Sequence, residues 1–303
     1  MSAAAESAEQ TTSRTGEPAA GLGMELGAGY RAKKRAFLGL SLSCMPDGEF
    51  LDAVRQAVQT RSRLAVTFIN PDYARKAHLT PGLSEKINRF DVVLPDGWGV
   101  VLAARWFGYP VIDRQGNDDI CPKIFATSAE HKLSNFLLGY REGVAEQAAA
   151  TVTDTFPGVP IAGTAYGHWD VKRGLAGLGD DADVARLIDE INASNADILH
   201  VCLPTPLQQT WVWEFADRLN VPVIITGGAY IDHLAERMYW YPAWMVKTRL
   251  CWVYRLAKEP RRLWKRYSLD LVSYGVLVLR AKLAARRQQR LDQTPAASWP
   301  GSK

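Results

Sequence analysis

The chain has 303 residues, 47% hydrophobic content, a formal net charge of +4 and four cysteines. That is enough for one large domain or two small ones with a sizeable buried core. No apolar run reaches the roughly 18 residues needed to span a bilayer, and the N-terminus lacks the apolar stretch of a secretory signal. Cys44, Cys121, Cys202 and Cys251 show neither Cys-x-x-Cys nor metal-ligand spacing, so they read as reduced, mostly packed thiols of a cytoplasmic protein.

The charge is uneven. Fourteen Lys and Arg lie between Arg237 and Arg290 against only Glu259 and Asp270, so that segment is near +12 and the rest of the chain near −8. A basic segment of this kind seeks phosphates, whether on nucleic acid, anionic lipid or a phosphorylated substrate.

In chain order, residues 1–30 are mostly small and polar and read as a disordered tail. Residues 31–235 alternate strand-like and helix-like stretches. Strands are expected from Arg63 to Ile69, Arg89 to Leu94, Leu133 to Leu138, Val159 to Gly163, Asp197 to Leu203 and Val221 to Thr226. Helices are expected over Glu142 to Thr155, Asp181 to Ala193 and Gln208 to Leu219. The alternation implies an α/β, Rossmann-like core: a mostly parallel sheet with helices on both faces. From 236 to 290 the pattern becomes a basic, aromatic, helical appendage, with Trp240, Trp244, Trp252, Tyr254, Trp264 and Tyr267 set among Lys and Arg. Residues 291–303 are expected to form a second disordered tail.

Residues 91–99, Asp-Val-Val-Leu-Pro-Asp-Gly-Trp-Gly, are the most informative stretch. The apolar run ends at Pro95 and delivers Asp96 into a turn built by Gly97 and Gly99. In open α/β sheets the ligand crevice lies beyond such strand tips. Asp96 is therefore either a general base or a residue that caps the next helix or closes the turn.

Other candidates stand near strand ends. Gly139-Tyr-Arg-Glu-Gly143 opens a helix and suits either a phosphate at the helix N-terminus or a plain tight turn. Gln208, in Thr205-Pro-Leu-Gln-Gln209, offers a donor and an acceptor to a sugar hydroxyl or base edge, or is a solvated first-turn residue. Asp118 either caps the following helix or binds ligand hydroxyls. On one continuous helix, Arg255, Arg262 and Lys265 share a face that suits a diphosphate. His78, His131, His168, His200 and His233 have no partner at metal-ligand spacing and read as structural. Gly-x-Ser-x-Gly and Gly-x-Gly-x-x-Gly are both absent, which disfavours a hydrolase elbow and a dinucleotide-binding oxidoreductase. No nucleic-acid motif accompanies the basic segment.

The ordered series of blocks from Arg63 to Tyr267 resembles the WecG/TagA/CpsF glycosyltransferases, glycosyltransferase family 26. The blocks are Phe68-Ile-Asn70, Leu94-Pro-Asp-Gly-Trp-Gly99, Gly116-Asn-Asp118, Phe136-Leu-Leu-Gly139 and Gly143-Val-Ala-Glu146. Phe156-Pro-Gly158, Pro206-Leu-Gln208, Gly227-Gly-Ala229, Pro242-Ala-Trp-Met245, Trp252-Val-Tyr-Arg255 and Glu259-Pro-Arg-Arg262 follow.

The resemblance implies an inverting hexosyltransferase. It moves sugar from a UDP-sugar to a polyprenyl-diphosphate-linked glycan at the inner face of the cytoplasmic membrane. It makes Asp96 the base, puts Asn70, Asp118, Gly139, Gln208, Gly227 and Gly228 at the substrates, and closes Arg255, Arg262 and Lys265 over the donor diphosphate. No metal or other cofactor is expected, since those cations take over the electrostatic work. The only Asp-x-Asp pair, Asp181-Ala-Asp183, looks like a helix start. The rival reading is a non-catalytic membrane scaffold on the same core.

Four positions depart from the family pattern: Phe68 where many members carry Thr, Leu207 for Lys, Cys251 for Glu, and Arg114-x-Gly116 for a longer spacing.

Overall fold

The computed structural model describes residues 33–111, 113–167 and 181–293. The expected N-terminal tail, His168 and residues 294–303 lie outside them. The chain opens with a hairpin of β1 (Lys34–Phe37) and β2 (Leu40–Ser43). Its two-residue turn, Leu38-Gly39, has positive φ at both positions, the geometry that matches strand twist in tight hairpins.

The core is a six-stranded sheet in the order β4-β3-β8-β7-β5-β6, and every pairing in it is parallel. The strands are β3 (Leu64–Ile69), β4 (Val92–Pro95), β5 (Asn135–Gly139), β6 (Ile161–Tyr166), β7 (Ile198–Val201) and β8 (Val223–Thr226). All six lie within or beside the runs read from the sequence. β3, β4, β5, β7 and β8 are buried along their whole length, as expected of a parallel sheet covered on both faces.

Alternation along β3 shows the two layers. Ala65 and Ile69 join one core with α2 (Pro71–Leu79), α4 (Trp98–Trp106), α7 (Asp181–Ala193) and α8 (Leu207–Phe215). Leu64, Val66 and Phe68 join the opposite core with α1 (Asp47–Thr60) and α5 (Asn117–His131). A third cluster packs α5, α6 (Val144–Thr155) and α9 (Tyr230–Glu236) against Leu137 of β5. The short α3 (Leu83–Asn88) precedes β4.

The appendage consists of α10 (Ala243–Lys247), α11 (Cys251–Lys258), α12 (Pro260–Tyr267) and α13 (Leu269–Gln293). One expectation is corrected here. The chain does not run as a single helix from Arg255 to Lys265, because Glu259 leaves helical geometry at φ −133°, ψ 59° ahead of Pro260. Proline has no N–H to continue the ladder and disfavours a helical residue before it. α13 extends to Gln293, past the end expected at 290. Its Tyr274 and Val278 are buried in the same core as α2 and α4, so the appendage is seated on the sheet domain. Among the described residues no helix is long and apolar enough to cross a membrane.

Candidate active site

A parallel sheet places all its C-terminal strand ends on one edge. Asn70 follows β3, Asp96 follows β4, Gly139 ends β5, Gln208 stands just beyond β7, and Gly227 and Gly228 follow β8. Every core residue singled out at a strand tip therefore lies along the same edge. The structure divides them into two groups.

The first group lines a cleft of about 650 Å³ between the β3 and β4 tips and the appendage. Asp96 and Asn70 are brought together by register, since Ile69 pairs with Pro95 and the Asp96 N–H donates to the Ile69 carbonyl at 2.8 Å. Asn70 caps α2, its Oδ1 accepting from the Tyr73 N–H at 3.0 Å. The N-cap position of α4 belongs to Gly97, at φ +99°, and not to Asp96, which lines the cleft. Gly99 lies inside α4 and so does not help build the turn. A Cβ there would come within 2.7 Å of Pro71 Cγ, so this glycine is required for close packing of α4 on α2.

Arg114, which the sequence marks only by its spacing to Gly116, organises the carboxylates of the cleft. Its Nη1 lies 3.7 Å from Asp96 Oδ1, and its Nη2 lies 2.5 Å from Asp118 and 2.8 Å from Asp119. Burial opposes the charge on Arg114, but the three carboxylates outweigh that and raise its pKa. Gly116 allows this closeness: a Cβ there would meet Asp96 Oδ1 at 2.5 Å and Asp118 Oδ1 at 2.9 Å. Capping of α5 falls to Asp119, whose carboxylate accepts from the Gly116 N–H at 3.0 Å, and not to Asp118. Burial, then the neighbouring charge of Asp118, pushes the Asp119 carboxyl up to about 7.

Arg255 enters the same cleft from α11. It is partly buried, and its Nε is inaccessible and has no hydrogen-bond partner. Burial disfavours its charge, but Tyr241, Tyr267, Asp96 and Asp118 more than offset this and hold its pKa high. A buried guanidinium N–H left unpaired costs free energy, and the guanidinium as a whole lines the cleft, where it can serve an anion. Lys265 is exposed and is not among the residues that line the cleft. The side chain of Arg262 lies outside the described residues.

The second group gathers at the tips of β5, β7 and β8. Gln208 is 4% exposed; its Oε1 accepts from the Gly228 N–H at 2.7 Å and its Nε2 donates to Thr205 Oγ1 at 3.4 Å. It is thus a buried clamp on the β8 turn rather than a solvated first-turn side chain. Gly228 adopts φ +57°, and a Cβ on Gly227 would collide with the Cys202 sulfur. Gly139 is close-packed, with Ala145 and Ile231 side chains 3.5 Å from where its Cβ would be. Beyond it, Tyr140 and Arg141 both hold Asp232 of α9.

The remaining candidates are placed elsewhere. His200 is buried against Phe125, its Nε2 is 3.0 Å from Asn135 Oδ1, and burial lowers its pKa to about 3. His233 stacks on Trp240 with ring centroids 3.8 Å apart. Asp183 pairs with Arg186 within α7 and does not line the cleft.

The model of the glycosyl transferase WecG/TagA/CpsF family matches residues 35–288, almost the whole described chain. The protein belongs to this family. Among its relatives is the N-acetylglucosaminyldiphosphoundecaprenol N-acetyl-beta-D-mannosaminyltransferase of Bacillus spizizenii, 27% identical over 78% of this chain and 86% of the relative. The protein of the same name from Bacillus subtilis is 26% identical over 71% of this chain and 78% of the relative. That from Staphylococcus aureus is 22% identical over 75% and 85%. The chain is a glycosyltransferase of the hexosyl type, with the six-stranded parallel sheet and seated appendage described above.

Proposed function

We propose that this transferase moves a sugar from a UDP-sugar to a polyprenyl-diphosphate-linked glycan, working at the inner surface of the cytoplasmic membrane. The observation that carries this reading is the presence, in one cleft, of the Asp96 carboxylate and the Arg255 guanidinium. The first suits a base and the second suits an anionic leaving group.

Asp96 takes the proton from the acceptor hydroxyl as its oxygen bonds to the anomeric carbon. The bond from that carbon to the diphosphate oxygen breaks, and UDP leaves with the electron pair. A single displacement of this kind inverts the anomeric centre. Arg255 stabilises the charge that develops on the diphosphate. Arg114 holds Asp96, Asp118 and Asp119 in place from below. Gly139, Gly227 and Gly228 are assigned to the donor along the same sheet edge, with Gln208 holding the Gly228 turn in place, and Asn70 and Asp118 to substrate hydroxyls. Arg262 and Lys265 stay with the donor diphosphate only as secondary cations, because the helix break at Pro260 takes Lys265 off the Arg255 face. Turnover needs no metal ion in this scheme. The exposed Trp244, Trp252 and Trp264, among Lys247, Lys258, Arg261 and Lys265, suit an anionic membrane surface.

The test is a screen of UDP-sugars against defined acceptors. It begins with UDP-N-acetylmannosamine and N-acetylglucosaminyl-diphosphoundecaprenol, because the relatives' names specify that transfer. UDP release that requires both substrates, together with a glycosylated lipid product, supports the proposal. No release with any pair would return the chain to a membrane scaffold.

A further inference from the structure

We infer that the mouth of the Asp96 cleft seats the lipid chain of the acceptor, with Leu102, Val246, Trp252 and Leu271 gripping its first isoprene units. The inference rests on the transferase reading and adds the place and direction of the acceptor.

Large apolar side chains scattered singly over a surface need no explanation, but several at one opening do. Leu102 is 58% exposed, Trp252 47%, Val246 44% and Leu271 42%, and all four line the one cleft whose floor holds Asp96, Arg114 and Arg255. They come from three parts of the fold: Leu102 from α4, Val246 and Trp252 from the short appendage helices, and Leu271 from α13. The cleft therefore combines exposed apolar side chains with charged ones, a lining suited to an amphiphile.

Cations line the cleft as well. The guanidinium of Arg249 stacks 3.8 Å from the ring centre of Trp98, which follows Asp96 by two residues, and Lys247 lines the same cleft. Arg249 and Lys247 would face a diphosphate joined to the lipid, while Arg255 serves the donor. A ligand built as lipid, diphosphate and sugar meets an apolar mouth, paired cations and a carboxylate. The lining carries five carboxylates as well as five cations, but among the described residues Lys247 and Arg249 form no ion pair with any of them, so these two cations favour a prenyl diphosphate over a neutral lipid.

Calorimetric titration of the full chain with farnesyl diphosphate, inorganic pyrophosphate and dihexanoyl phosphatidylglycerol tests this without any turnover. Farnesyl diphosphate is expected to bind roughly tenfold or more tighter than pyrophosphate, because an apolar site discriminates by this much for a few buried carbons. The double variant Leu102→Gln, Leu271→Gln should lose most of that ratio. Both residues are exposed, so folding, checked by circular dichroism, should be unchanged. Equal binding of farnesyl diphosphate and pyrophosphate, a ratio untouched in the double variant, or equally tight phosphatidylglycerol binding would overturn the assignment. A failure of every UDP-sugar to react would instead sink the transferase reading and leave the binding result standing.

Discussion

The hydroxyl of Tyr274, in α13, donates to the carbonyl of Gly99 at 3.2 Å. The appendage thereby holds the segment that carries Asp96, and the ion pair of Arg75 with Asp270, at 3.0 Å, anchors the same helix to α2. Tyr274→Phe removes the bond and keeps the ring. It should cost about 1 kcal/mol of stability and lower kcat roughly three- to tenfold through poorer placement of the base. Thermal melting and steady-state kinetics check both. Full kcat with a lowered Tm would reduce Tyr274 to a helix anchor.

Asp96→Asn keeps size and polarity and removes the ability to take a proton. If Asp96 is the base, kcat should fall by about 10²- to 10⁴-fold while UDP binding, measured by titration, is largely retained. Near-normal kcat would make Asp96 a turn residue.

The strands of this protein were legible because a buried parallel sheet writes itself as short apolar runs ended by Asn, Asp, Gly or Pro. Asp96 and Gln208 were legible for the same reason, since each follows such a run. The hairpin Lys34–Ser43 was not, because its turn is Leu-Gly rather than a stronger turn pair, and its first strand carries charges. Arg114 was not legible as an organising residue because Asp96 joins Asp118 and Asp119 around it only when β4 and α5 meet. The signal was present in Gly116, whose missing side chain makes room for two carboxylates. The shared face of Arg255 and Lys265 failed on a local rule, Pro260, that the sequence displays openly.

Arg255 and Lys265 should now behave differently. Arg255→Gln is expected to weaken UDP binding roughly 10- to 100-fold, the range for losing a charged hydrogen bond. Lys265→Ala, at an exposed position off the cleft, should change it less than about threefold. Calorimetry with UDP measures both. Equal losses would mean that α12 moves over the cleft when donor binds.

Metal dependence follows from the same electrostatics. Asp118 and Asp119 are committed to Arg114, and Asp183 to Arg186. Transfer should persist within about twofold in excess EDTA, because guanidinium groups take the role of a cation at the diphosphate. Complete loss in EDTA, restored by magnesium or manganese, would overturn the metal-free scheme.

The joint between core and appendage should be sensitive to acid. His233 of α9 stacks on Trp240, whose ring contacts Tyr241 and Tyr254 edge-on, so the histidine supports the start of the appendage. Burial, and then the charge of Arg255, lowers its pKa to about 4, from 6.5. Asp118, Asp232 and Glu259 pull weakly the other way. A histidine kept neutral by the fold binds its proton more readily when unfolded. Its contribution is therefore fully present above about pH 6.5 and is lost as pH falls toward 4. The span corresponds to about 3 kcal/mol. His200 adds a loss of the same sign, since burial lowers its pKa to about 3. Tm measured from pH 7 to pH 4 should fall steeply, and His233→Gln should flatten but not abolish that fall. An unchanged slope in the variant would place the acid sensitivity in His200 and the carboxylates instead.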